Sequence, residues 1–186
     1  VLLAVVAAMY AVYHGPDGLR RIAGEVHERA RRLAGALAAD GWSPTHENFF
    51  DTIGVAVPAG AETVVAAARE RGIHLRLIDA DHVGIAIGED VTDDDLTHVV
   101  EAFRELTGAE PADHPAPLGG LGGHDRQTPF CTHPVFHRHH SETAMMRYLR
   151  TLADRDIALD RGMIPLGSCT MKLNAAASME PISWPG

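Results

Sequence analysis

Lysine is nearly absent from this chain: Lys172 stands alone against fifteen arginines. Cysteine is almost as scarce, and Cys131 and Cys169 have no short paired spacing. That excludes a disulfide framework and a paired-thiolate zinc knuckle, and it suits a reducing compartment, so a cytoplasmic location is expected. Basic residues are outnumbered sixteen to twenty-five, and the formal charge of −9 repels phosphate backbones and anionic lipid. Neither nucleic acid nor a membrane is expected as a partner. Val1 to Tyr13 is almost unbroken apolar sequence, short of the roughly 20 residues that cross a bilayer and without a basic segment before it. It reads as a buried helix. The first residue is not Met, and no capping residue precedes that helix, the expectation for a piece of something longer.

What is present suffices for a core, since 46% of the 186 residues are hydrophobic. Gly15-Pro16 should stop the first helix. Leu19, Ile22, Val26, Ala30, Leu33 and Leu37 recur at three- and four-residue steps and predict a second, ended by Gly41. Phe49 to Val57 alternates like a strand, and Pro58-Ala59-Gly60 is a turn signal. Glu62 to Arg71 returns to helical spacing. Ile73 to Ile78 and His82 to Ile87 bracket Asp79-Ala80-Asp81 as a hairpin. Thr92 caps a last helix with Asp93, Asp94 and Asp95 in its first turn and Gly108 at its end. Strand, helix, hairpin, helix makes a small α/β layer with its sheet covered on one face.

Ala109 to Gly123 carries Pro111, Pro115, Pro117 and two Gly-Gly pairs, and reads as a flexible linker with a domain boundary. Beyond it, Pro129 to His140 reads as loop, Ser141 to Ala153 as a capped amphipathic helix, and residues 154–186 mainly as loop. So little regular structure cannot build its own core and must lean on something.

Chemistry concentrates in Gly162-Met163-Ile164-Pro165-Leu166-Gly167-Ser168-Cys169-Thr170-Met171-Lys172-Leu173-Asn174. Pro165 and Gly167 forbid a continuous helix. In extended backbone Ser168, Thr170, Lys172 and Asn174 share one face and Cys169, Met171 and Leu173 the other, so one face packs while the other meets a ligand. A solvated turn is the competing reading, and a buried thiol the simplest state of Cys169. His133, His137, His139 and His140 invite a metal, but Pro134 interrupts any shared helical face and no Cys or carboxylate completes a site. Histidines bonded to backbone are the preferred reading, with no metal. Asp93 to Asp95 lack the glycine and closing glutamate of a calcium loop. Gly119 to Gly123 has neither a strand before it nor a helix after it to make a phosphate cradle.

Three strings carry a resemblance: the 165–174 segment, His139-His140-Ser141-Glu142-Thr143, and Met9-Tyr10-Ala11-Val12-Tyr13-His14-Gly15-Pro16. In that order they resemble signatures of the glycine-cleavage P-protein family, the pyridoxal-phosphate-dependent glycine decarboxylases. The resemblance implies that residues 1–108 are interdomain helices and the small C-terminal-type α/β domain of fold-type-I pyridoxal-phosphate enzymes, closing the N-terminal half. Residues 109–128 are then the linker, and 129–186 open the cofactor-binding half. It further implies glycine as substrate, transfer of the aminomethyl group to the lipoyl arm of the H-protein, and association with the remainder of the P-protein. The lysine that holds pyridoxal phosphate in this family lies far downstream, so Lys172 is not assigned that role. Ser168, Thr170, Lys172, Asn174 and His140 become the pocket candidates, with Lys172 facing a carboxylate or phosphate oxygen. The chain alone, lacking both large domains, is expected to bind no cofactor and to be inactive. The apolar N-terminal surface suggests self-association into a homo-oligomer. The alternative is a free-standing α/β small-molecule-binding or dimerisation module, which residues 1–108 alone would permit.

Overall fold

The computed structural model describes residues 1–110, 115–155, 177 and 180–185. By its internal contacts the chain divides into two compact units, Pro16–Phe130 and Val1–Gly15 with Cys131–Gly186. The helical run α1 spans Leu2–Ala39 and is interrupted at Gly15, whose φ of 62° and ψ of −178° belong to no helix. The expected stop is therefore a break, since Pro16 fits the first turn of a new helix that needs no N–H there.

In the Pro16–Phe130 unit, three strands form one antiparallel sheet: β1 (Thr52–Ala56), β2 (Arg76–Asp79) and β3 (His82–Ala86), in the order β1-β3-β2. The sheet is shorter than the alternation in the sequence suggests. Register sets Ile53 opposite Ile85 and Val55 opposite Val83, so these four point to one face and are buried. Helices α2 (Ala61–Glu70) and α3 (Asp93–Thr107) add Val64, Val99 and Phe103, and residues 16–39 add Val26, Ala30, Leu33 and Leu37, to the same core. On the opposite face, Gly54 and Gly84 are paired across β1 and β3.

Local chemistry fixes the joints. The Asp79 carboxylate accepts from the Asp81 N–H at 2.9 Å and bonds the His82 ring at 2.8 Å, closing the hairpin and drawing the Asp79 pKa down. Thr92 and Asp95 form a reciprocal capping box at the start of α3, and the Thr92 hydroxyl and N–H lower the Asp95 pKa. Gly108, left-handed with φ 65°, closes the same helix. Arg71 joins α2 to Glu101 and Glu105 of α3.

One ion pair is far less exposed than the others. Asp40 follows the last helical turn, and its side chain is 1% exposed while Arg104 is 20% exposed. Arg104 grips it through two nitrogens, at 2.7 and 3.2 Å. Removing one partner strands the other, a loss of about 3 kcal/mol or more when the survivor stays buried. Asp40→Ala should lower the unfolding free energy of the chain in urea by about 3 kcal/mol, and adding Arg104→Met should recover part of that. An Asp40→Ala chain as stable as the parent would remove this pair from the account.

Candidate functional site

The described pocket candidate is His140, in the unit formed by Val1–Gly15 and Cys131–Gly186. Within residues 2–14, the sequence expectation of burial needs correction. Val1, Leu2, Leu3, Val5 and Val6 are exposed, and Val12 near the end of the stretch is buried. The contacts that hold this stretch lie in its last turns, which meet residues 136–140.

His140 is seated there by backbone. Its Nδ1 lies 2.7 Å from the Tyr13 carbonyl oxygen, and since a carbonyl only accepts, Nδ1 carries the proton. The neutral ring then presents Nε2 as its acceptor. Gly15 makes room for this. A Cβ at that position would stand 2.6 Å from both His140 Cε1 and the Phe136 carbonyl oxygen. Its φ and ψ also fall where only glycine rests without strain.

The remaining histidines of this loop bond to backbone or stack. The His133 ring accepts from the Val135 N–H and caps a short 3-10 turn, Pro134–His137, within the stretch read from sequence as plain loop. His137 Nε2 donates to the Cys131 carbonyl at 3.0 Å, across a residue with φ of 49°. His139 stacks on Tyr148 of α4 (Glu142–Ala153), with ring centres 4.2 Å apart and 14° between planes. The Ser141 hydroxyl caps α4 by accepting from the Ala144 N–H. Among the described residues no group of three or more His, Cys, Asp or Glu is placed to hold a metal.

Ser168, Thr170, Lys172 and Asn174 lie outside the described residues, as does Cys169. The structure therefore bears on His140 alone of the five candidates. What sequence reasoning missed is the pairing of two of its own strings: Tyr13 and Gly15 of the first make the seat for His140 of the second. A signal existed in Gly15-Pro16, but it reads locally as a helix end and gives no partner.

A family profile described as "Glycine cleavage system P-protein" matches residues 1–103, more than half of the chain. The chain belongs to the glycine cleavage system P-protein family. It is similar along its length to three proteins named glycine dehydrogenase (decarboxylating). Over 186 residues it is 51% identical to that of a Jannaschia species, covering 99% of this chain and 19% of the relative. The Akkermansia muciniphila protein is 49% identical over 185 residues, with 100% and 19% covered. That of Cutibacterium acnes is 52% identical over 189 residues, with 100% and 18% covered. The chain thus spans about a fifth of the length of these family members.

Gly15→Ala tests the seat. The added methyl meets the Phe136 carbonyl and the His140 ring in a backbone conformation that costs about 1–3 kcal/mol to impose on alanine. The chain should lose about that much stability, and the His140 nitrogen NMR shifts should lose the Nδ1–H signature that the parent shows at neutral pH. An unchanged spectrum in Gly15→Ala would dissociate the glycine from the histidine.

Proposed function

We propose that this chain is the central part of a glycine-decarboxylating P-protein, in which it helps wall the glycine-handling cavity without supplying the lysine that holds the cofactor. The observation that carries this is the family match together with similarity along the whole chain to decarboxylating glycine dehydrogenases. In this reading residues 1–108 close the N-terminal half, 109–128 connect, and 129–186 open the cofactor-binding half. The small antiparallel sheet under helices on one face suits the small domain of fold-type-I enzymes. The complete protein acts in the cytoplasm as a homo-oligomer, on glycine, with the lipoylated H-protein taking up the aminomethyl group.

Pyridoxal phosphate, the cofactor expected of full-length family members, supplies the electron sink for loss of CO₂. The described residues do not fit it by themselves. They include no lysine, and the Gly119–Gly123 run opens no helix. No step through the cofactor is assigned to them. What this chain contributes is positioning chemistry. The Lys172 ammonium neutralises a carboxylate or phosphate oxygen, Ser168, Thr170 and Asn174 give neutral hydrogen bonds, and His140 offers Nε2 from a ring whose other nitrogen is engaged.

Lys172→Met in the complete enzyme should raise the glycine KM or weaken cofactor binding about tenfold or more, the loss of one charge-assisted hydrogen bond. Unchanged kinetics would retire the role given to Lys172. The 186-residue chain alone, mixed with glycine, pyridoxal phosphate and lipoylated H-protein, should release no CO₂.

A further inference from the structure

The Pro- and Gly-rich stretch after α3 behaves unlike a tether. Leu118 donates its N–H to the Arg31 carbonyl at 3.0 Å, and Arg31 Nε donates back to the Gly119 carbonyl at 2.9 Å. One turn further along the same helix face, a Cβ on Gly35 would stand 2.1 Å from the Ala116 carbonyl oxygen and 3.3 Å from Pro117 Cα. Gly35 is buried although it has no side chain to bury, because the backbone of residues 116–117 lies on it. The Phe49 N–H donates to the Gly120 carbonyl at 3.1 Å, and the Phe49 ring occupies the space that a Cβ on Gly119 would need. At the end of the stretch, the Arg20 and Arg126 guanidinium carbons lie 4.9 and 5.6 Å from the centre of the Phe130 ring.

We propose that residues 115–130 are a strap, seated in a notch that Gly35 opens on the 16–39 helix, and that this strap is a separately releasable part of the Pro16–Phe130 unit. The attachments are mainly backbone hydrogen bonds, and Leu118 is 44% exposed, so few apolar contacts resist its lifting. Elements held in this way open at a lower free energy than the core beneath them. Pro115 and Pro117 also line a cleft of about 530 Å³ whose other walls include Arg32 and Leu33 of the helix and Asp93 and Val100 of α3. Lifting the strap unwalls that cleft while leaving the buried stripe of the helix in place.

The helix carries its own control. Gly24 lies in the same run and a Cβ there meets nothing within 4 Å. Alanine is the better helix former at both positions, so propensity alone predicts that both substitutions stabilise. Hydrogen exchange followed by NMR on the full chain separates the two. In the parent and in Gly24→Ala the Leu118 and Phe49 amides should exchange about tenfold or more slowly than unstructured amides, yet faster than Leu37. In Gly35→Ala that protection should vanish while Leu37 stays protected. Should Gly35→Ala also expose Leu37, the decision passes to Arg31→Met, which keeps the helix and removes one strap bond, and which should speed Leu118 but not Leu37. Leu118 and Phe49 protected equally in Gly35→Ala and the parent overturns the notch. Leu118 exchanging together with Leu37 in the parent, or unchanged in Arg31→Met, overturns separate release.

Discussion

Burial of one apolar helix stripe against one face of a very small sheet is the constraint on which the Pro16–Phe130 unit depends. Val26, Ala30, Leu33 and Leu37 lie against Ile53, Val55, Val83 and Ile85, with Phe103 completing the layer. Each such leucine or isoleucine contributes roughly 1.5–3 kcal/mol by leaving water, which exceeds what three short strands could gain from their ladders alone. The alternation of β1 and β3 follows from this, because a slip of one residue would turn Val55 and Val83 to the outer face. The opposite face, with Gly54 set against Gly84, has little side chain to bury.

With the core placed, the polar contacts divide by whether water reaches them. The Thr92 box, the Asp79 hairpin contacts and the arginine pairs of the helix surface are solvated, and they set where elements begin and end. Asp40 with Arg104 is different, since its carboxylate is removed from water and held by two nitrogens. It ties the end of the long helix to α3, at the place where the chain leaves the helical stripe for the loop that leads to the sheet.

Much of this was legible in the sequence because it is local. Thr92 with Asp95, Gly108, and the Asp79-Ala80-Asp81 turn are signals read within a few residues, and each stands where it was expected. The family strings were also legible, and the family match agrees with them. What could not be read is non-local and carried by backbone. Nothing in Gly35 announces that Ala116 will rest on it, and a Gly-rich stretch looks flexible until its carbonyls have found donors. Gly15 was read as a helix end for the same reason, its second role depending on a histidine more than a hundred residues away. The strand drawn from Phe49 to Val57 is shorter in the structure, where the Phe49 N–H turns to Gly120 instead of the sheet.

The account places this chain at the wall of a glycine-handling cavity and the cofactor's covalent anchor outside it. Borohydride reduction of the complete enzyme in the presence of pyridoxal phosphate, followed by peptide mass spectrometry, tests that division directly. The reduced cofactor should be found on a lysine beyond these 186 residues. Its recovery on Lys172 would contradict the account.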